Sequence, residues 1–424
     1  MNATFTHAIR YWVTATCLTP LRTGAADGSV DDVLRDWAGQ AFVQGSSVAG
    51  ALREWIKLHD PARADLLFGS EQAGGSLMVS HAWFEADAEQ QSRPRLRING
   101  STGTADDGGK FDIAHIAPGT KLHFELVLLE QDDNSSSDCV EQMLAALHAG
   151  VIRLGAQKTN GFGRVALAVN RRVYHMTDAA DRQAWLENRE DGTPFELPAL
   201  SKQGQVVFTV CGQMDSILVK SGSPERRQTA DAKPHAVTTA LRDGNAAILP
   251  GSSVKGVVRA RAEAIADLLG LRSQLTASLF GREAQQDDNG QAGKVCFEDV
   301  RLSDQKREIT RIRINKFTGG VIRKGLFVEE PLCSEVELRI TLPAAEEQGC
   351  GLLLFALRDL GLGLYNLGSG GAVGRGYLQV AQIQAQAPDG CVASLRFDQN
   401  RTCTIEDNQG LFARWMEQLR RDGV

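Results

Sequence analysis

Two Gly-Ser-Ser triplets stand at the head of amphipathic stretches: Gly45-Ser46-Ser47 in QAFVQGSSVAGALREWIK (40–57) and Gly251-Ser252-Ser253 in AAILPGSSVKGVVRARAE (246–263). A turn of this kind entering a helix presents unpaired backbone N–H groups and small hydroxyls at the positive end of the helix dipole, the chemistry of a phosphate site. The same serines would serve as helix N-caps, and both readings stay open. The second triplet adds Lys255 and Arg259, one turn apart on one side. The first keeps Arg53 but has Gln44 in place of the proline and Ala49 in place of the lysine, so its grip on an anion is expected to be weaker. Two glycine-rich stretches, GAQKTNGFGR (155–164) and GSGGAVGRGY (368–377), place Lys158, Arg164 and Arg375 where a backbone must approach something closely. Neither lies between a strand and a long helix with an acid about 20 residues on, and no GxxxxGK[ST] occurs, which excludes dinucleotide and P-loop readings.

A further stretch, 315–328, interleaves Phe317, Val321, Ile322 and Phe327 with Lys316, Arg323 and Lys324. Such a segment suits either a wedge that displaces a nucleobase while cations hold the neighbouring phosphates, or a surface hairpin packing its apolar residues on a sheet. The stretch 99–115 is its shorter, more acidic counterpart, for which the surface hairpin is expected. His235 offers a general acid or base, but no Ser/His/Asp or Cys/His arrangement recurs in both halves. The eight cysteines are scattered singly, without zinc spacing, and read as buried free thiols.

These residues recur because the chain is duplicated. Gly45 and Gly251 lie 206 positions apart, Leu67-Phe68-Gly69 and Leu279-Phe280-Gly281 lie 212 apart, and Arg97-Ile98-Asn99 and Arg313-Ile314-Asn315 lie 216 apart. A period this long marks a repeated domain rather than a solenoid unit. In the first copy a strand is predicted over 5–18, a helix after Ser46 with Val48, Leu52, Trp55 and Ile56 on one face, strands near 76–86 and 120–130, a helix over 138–153 and a closing strand in GRVALAV. The second copy repeats this with strand 205–213, helix 253–269, strands near 294–302 and 333–342, helix 349–362 and strand 376–385. The order βαββαβ predicts an α+β fold of two tandem ferredoxin-like domains over 1–170 and 204–386. A linker with a short helix (171–203) and a tail with an amphipathic helix at 409–420 (387–424) complete the chain.

At 424 residues, with 42% hydrophobic and 23% charged residues, the chain suits two domains of ordinary core size. A net charge of -6 argues against nucleic-acid binding by bulk electrostatics, so any such site is a local basic path. Candidate paths are Arg93-Pro94-Arg95-Leu96-Arg97, Arg226-Arg227, Lys306-Arg307 and Arg311 to Lys324. The N-terminus carries no basic-then-apolar signal and no apolar run approaches the roughly 18 residues of a membrane span, which points to a cytoplasmic protein.

Taken in order, the motifs carry a resemblance. LTPLRTG (18–24), an acidic loop, PGSSVKG (250–256), LFG (67–69, 279–281), the insertions 97–111 and 313–327, and the loops LGAQKTNGFGRV (154–165) and LGSGGAVGRGYLQV (367–380) follow the order of a RAMP-superfamily (repeat-associated mysterious protein) backbone subunit of a type III CRISPR effector complex. The chain is similar to two such subunits fused. The resemblance implies guide (CRISPR) RNA, target single-stranded RNA and other type III effector subunits as partners, with no membrane. It gives the insertions the part of a thumb that kinks the guide–target duplex, and the glycine loops and Gly-Ser-Ser turns that of a guide-RNA clasp. It also implies cleavage of target RNA by one aspartate of the acidic loop with Mg2+ or another divalent metal. The matching positions are Asp31 and Asp32 in GSVDDVLRD, with Asp27 as a contender, and Asp231 in TADAKPHAVTTALRD; Asp31, Asp32 and Asp231 are the metal candidates. An architectural subunit without these functions, and a free-standing guide-processing endoribonuclease, remain alternatives.

Overall fold

A computed structural model describes residues 5–24, 32–98, 104–131, 136–200, 204–227, 235–271, 273–283 and 289–421. The chain forms two compact units, one of Met1–Arg97, Asp107–Lys158 and Phe162–Gln203, the other of Ile98–Asp106, Thr159–Gly161 and Gly204–Val424. The first contains β1 (His7–Cys17), α1 (Gly45–His59), α2 (Pro61–Phe68), all but the facing ends of β2 (Gln90–Ile98) and β3 (Ala105–Ile116), β4 (Lys121–Glu130), α3 (Ser137–His148), β5 (Val165–His175) and α4 (Ala179–Leu186). The second contains β6 (Gln205–Ile217), β7 (Glu225–Arg227), β8 (His235–Thr238), α5 (Gly251–Leu268), α6 (Ser273–Phe280), β9 (Ile309–Ile314), β10 (Val321–Glu329), β11 (Leu332–Pro343), α7 (Glu347–Gly361), β12 (Gln379–Gln386) and α8 (Leu411–Arg421).

Each unit is built on an antiparallel sheet whose opening strand is central. β1 lies between β4 and β5, pairing His7 with Glu130 on one side and with His175 on the other; the short strand Ala82–Phe84 lies beyond β4. In the second unit β6 lies between β11 and β12, with Cys296–Phe297 beyond β11. Numbered by their place in βαββαβ, both sheets run 4-1-3-2, the ferredoxin-like arrangement. Alternation does the rest: Tyr11, Val13, Ala15 and Cys17 of β1 are buried, as are Val206, Phe208 and Val210 of β6. α1 buries Val48, Leu52, Trp55 and Ile56, and α3 buries Val140, Met143, Leu144 and Leu147, closing the first core. Each large side chain removed from water in this way contributes about 1.5–3 kcal/mol.

The structure departs from the sequence expectations in five places. The strands near 76–86 and 294–302 each split into two short strands, Leu77–Val79 with Ala82–Phe84 and Cys296–Phe297 with Val300–Leu302. They break where α1 and α5 begin, as shown below. Two helices, α2 and α6, were not anticipated; α2 starts where Asp60 accepts from Arg63 N at 3.1 Å and Pro61 takes the first turn. Residues 171–203 are more than a connector, because β5 runs on to His175 and Thr193–Phe195 pairs with it. Residues 387–421 add Val392–Phe397 and Cys403–Glu406 to the second sheet, and α8 places Leu411, Phe412, Trp415 and Leu419 in the second core. All eight cysteines are free thiols, but only Cys17 and Cys350 are buried, and burial pushes both up to about 12. Among the described residues no helix is long and apolar enough to cross a membrane.

Candidate nucleic-acid interface

The Gly-Ser-Ser turns are helix starts with an unexpected occupant. Gly45 and Gly251 are the first helical residues, and the N-caps are Gln44 and Pro250, neither with a side-chain cap. Ser46, Ser47, Ser252 and Ser253 therefore sit inside the first turn and are not caps. A Cβ on Gly45 would lie 2.7 Å from Val79 O and 2.8 Å from Ser80 O, and one on Gly251 would overlap Phe297 O, so glycine is required by the neighbouring strand. The freed N–H groups are already used: Gly45 N donates to His81 Nδ1 at 2.8 Å and Gly251 N to Asp299 Oδ1 at 2.7 Å. Asp299 thus brings a carboxylate to the positive end of α5, where an anion was expected. Ser46 and Ser47 are exposed, and Ser252 and Ser253 are half-buried.

The cations that follow these turns also have partners. Arg53 Nη2 donates to Gly69 O and to Asp65 Oδ1, both at 3.0 Å. Its counterpart Arg259 donates to Gly281 O at 3.2 Å and from Nε to Glu263 Oε1 at 2.7 Å. In both copies the arginine ties the first helix to the carbonyl that ends the second, while the repeated Leu-Phe-Gly reflects the fully buried Leu67 and Leu279 and the left-handed φ of Gly69 (87°) and Gly281 (89°). Lys255 Nζ donates to Thr159 Oγ1 at 3.0 Å within the second unit.

Both glycine-rich loops are tied to the opening strands of their own copies, although Thr159–Gly161 of the first belong to the second unit. Gly163 (φ 83°) and Gly376 (φ 74°) occupy equivalent left-handed positions, and a Cβ on either would lie well under 3.0 Å from Leu154 O or Leu367 O respectively. Gly163 N donates to Pro20 O and Gly376 N to Ser216 O, so the close approach is to the end of the opening strand. Lys158 is half-buried on a single 3-10 turn, and the half-buried Arg164 lies against Gly150. Arg375 is buried and donates to Glu329 Oε2 at 2.7 Å. Glu329, itself buried, also pairs with Arg311 and, at 3.7 Å, with Lys220. Burial opposes its charge, but the guanidinium hydrogen bonds of Arg375 and Arg311 outweigh that and lower its pKa. Next to it, Arg227 donates to both carboxylate oxygens of Glu330, lowering that pKa too.

These pairs sit at the base of a projecting hairpin. β9 and β10 pair antiparallel around an Asn315–Gly320 turn, in which Asn315 Oδ1 accepts from Phe317 N at 2.8 Å and Gly319 N donates to Asn315 O at 2.9 Å. Ile312 opposes Leu326 and Arg311 opposes Phe327, so mid-hairpin one face is aliphatic and the other cationic and aromatic. Arg313 lies over the Phe327 ring at 5.2 Å, and Lys316 over Phe317 at 5.1 Å. Phe317 is 86% exposed and Leu326 58%; Ile312, Ile314, Val321, Ile322 and Arg323 are also exposed. The apolar residues of this hairpin do not pack on a sheet. Only the backbone of Lys324 is described, within β10.

The same small sheet runs β7-β8-β10-β9. β8 pairs parallel with β10, Val237 beside Val328, so Arg227 and His235, which flank 228–234, lie on the side of the hairpin turn. Asp231 itself lies outside the described residues, as do Asp27 and Asp31. β2 and β3 form a comparable hairpin in the first copy, whose Leu96, Ile98 and Phe111 are exposed. Arg93 and Arg95 do not extend it as a basic path, because their guanidinium groups pack over the buried Phe162 ring at 5.0 and 5.7 Å.

Asp32 is exposed, accepts from Val33 N at 2.7 Å, and lies 4.0 Å from Arg35 Nε. Among the described residues no cluster of three or more His, Cys, Asp or Glu side chains is poised for a metal. The donor chemistry nevertheless suits Mg2+, which is commonly held by one or two carboxylates together with substrate phosphate oxygens. His81, Asp299 and Glu329 are the site neighbours that sequence reasoning missed; His81 and Asp299 occupy the breaks in strands predicted as continuous, and no motif marked them. Among comparisons with known proteins, the family model described as the RAMP superfamily matches residues 14–166 and 218–379. No curated protein matches the chain.

Proposed function

The chain belongs to the RAMP superfamily, whose role at the family level is CRISPR-associated RNA binding within multisubunit complexes, and on that premise we propose that it is a guide-RNA-binding backbone subunit of a type III CRISPR ribonucleoprotein. The observation that carries this reading is the β9–β10 hairpin. Uncovered aliphatic side chains on one face, cations and an aromatic ring on the other, and Lys316 with Phe317 at the turn suit insertion between nucleotides with phosphates held alongside. Sequence is then read by guide pairing, and the protein grips the backbone. Lys158, Arg164, Lys255, Arg323, Lys324 and the serines of both helix starts are the further contacts on this reading, whereas Arg53, Arg259 and Arg375 hold the scaffold.

Cleavage of the paired target is assigned to the acidic loops. Asp31 and Asp32 in the first copy, and Asp231 in the second, would hold a divalent cation, with Asp27 a further contender for the catalytic role. Bound there, Mg2+ supplies charge neutralisation at the scissile phosphate. The chain's own part is to fix the flanking nucleotides: the β9–β10 hairpin splays them, and β7 and β8 anchor the second loop to the same sheet.

The test is an assembled complex in which Asp31, Asp32 and Asp231 are replaced by Ala, singly and together. Target cleavage in Mg2+ is expected to fall at least 100-fold in the triple variant, with guide-RNA content unchanged. Unaltered cleavage would leave an architectural subunit, and a purified complex without RNA would reject the reading altogether. Metal-independent cutting of repeat RNA by the isolated chain would point instead to guide processing.

A further inference from the structure

The geometry points to Trp37 as a stacking platform for one unpaired nucleobase, beside the first acidic loop; this rests on the RNA-binding reading above. Trp37 is 98% exposed and, among the described residues, its ring makes no aromatic or cation–π contact. Yet the turn that carries it is fastened on both sides of the tryptophan. Arg35 bridges to Ala41, Asp36 N donates to Gln40 O at 3.0 Å, and Gly39 N donates to Asp36 O at 3.1 Å. Asp36 Oδ1 accepts from Ala38 N at 2.9 Å and Gln40 N at 2.8 Å, while Arg35 donates to Gly39 O at 2.9 Å and Gln90 Oε1 at 2.7 Å.

The second copy shows how little of this a turn needs. There Leu241-Arg242-Asp243 continues directly into Gly244-Asn245, Arg242 donates to Asn245 O at 2.6 Å, and Asp243 pairs with Ala246. The first copy keeps Leu-Arg-Asp and its arginine clasp but inserts Trp37-Ala38 before the glycine. An indole carried on a fixed backbone has only its own two side-chain torsions left to order on binding, an arrangement that favours stacking. Its surroundings decide the occupant. Arg35, Ala38, Gly39 and Gln40 beside it are exposed and carry no large apolar side chain, so the ring stands alone without the apolar core that a protein interface buries. A single aromatic face among polar groups fits one base, of any sequence, since every base has a π-face.

The remaining tryptophans (12, 55, 83, 185 and 415) are buried or half-buried, so acrylamide quenching of the full chain reports chiefly on Trp37. The experiment titrates the chain with a fluorescein-labelled single-stranded uridine homopolymer, comparing wild type with Trp37→Ala, Trp37→Phe and Trp37→Leu. Expected are protection of the exposed indole by RNA, about tenfold weaker binding for Trp37→Ala and Trp37→Leu, and near-complete rescue by Trp37→Phe. RNA binding with unchanged affinity in Trp37→Ala overturns the stacking assignment alone. Wild-type affinity in Trp37→Leu overturns it in favour of a merely apolar contact, and loss of subunit assembly at unchanged RNA affinity reassigns the turn to a protein partner. A wild-type chain that binds no RNA removes both this inference and the reading beneath it.

Discussion

Replacing Glu329 by Gln keeps its shape and removes the charge that holds the base of the β9–β10 hairpin. Arg375, 5% exposed, would then keep a buried guanidinium with only a neutral amide for company. Breaking a buried pair by removing one partner costs about 3–5 kcal/mol. The pairs with Arg311 and Lys220 add little, since those side chains are 38% and 53% exposed and such pairs contribute below about 1 kcal/mol each. The expected deficit is therefore about 3 kcal/mol at pH 7, a large part of the roughly 5–15 kcal/mol available to a domain. Because the two units need not unfold together, urea denaturation should follow the transition that exposes Trp415, the second unit's own tryptophan. The pH dependence has a definite sign. A carboxyl whose folded pKa lies below its ordinary value of 4.5 stabilises above that value and loses its contribution as pH falls through the folded pKa. The gap between wild type and Glu329→Gln should accordingly shrink as the pH is lowered below 4.5. A deficit under about 0.5 kcal/mol at pH 7, or one that persists undiminished at low pH, refutes the argument.

Two further outcomes follow from the interface geometry. Lys316→Ala and Arg323→Ala should each reduce the slope of log K against log salt for guide–target duplex binding by about 0.7–0.9, whereas Arg375→Gln, a scaffold change, should leave that slope alone and lower the unfolding midpoint; salt titrations with melting curves separate the two. Gly251→Ala forces a methyl against Phe297 O at the start of α5 and should cost about 1–3 kcal/mol by thermal unfolding, with a smaller loss for Ser252→Ala, whose hydroxyl caps nothing.

The fold was legible because its signals are local and are written twice. Val48, Leu52, Trp55 and Ile56 recur at helical spacing, KLHFELVLL alternates, and the Gly-Ser-Ser turns mark both helix starts, so the order βαββαβ follows from period alone. The short helices α2 and α6 escaped because eight residues give periodicity little to work on; for α2, Asp60-Pro61 was the only start signal. The site was harder to read, since its electrostatics depend on residues remote in sequence. A basic residue in a glycine-rich loop looks like an RNA contact until Glu329, 46 positions away, is found against Arg375. In the same way Arg53 and Arg259 look like phosphate ligands until the carbonyls of Gly69 and Gly281 appear beneath them. For the hairpin the sequence left a wedge and a sheet-packed surface hairpin equally open, because a run of cations and apolar residues does not show whether anything covers it; the exposure of Phe317 and Leu326 speaks against the second.

The second core is sealed by its own two extremes. Phe208, on that unit's opening strand, meets Trp415 of α8 with ring centroids 5.5 Å apart, and Leu411, Phe412 and Leu419 fill the same space. During synthesis the earlier unit has every strand and helix it needs well before translation ends, while the later one waits with an open apolar wall until residues 411–419 have left the ribosome. Nascent chains paused short of that point would present Phe208 and its neighbours to chaperones, and a premature stop there would yield a half-folded product marked for proteolysis.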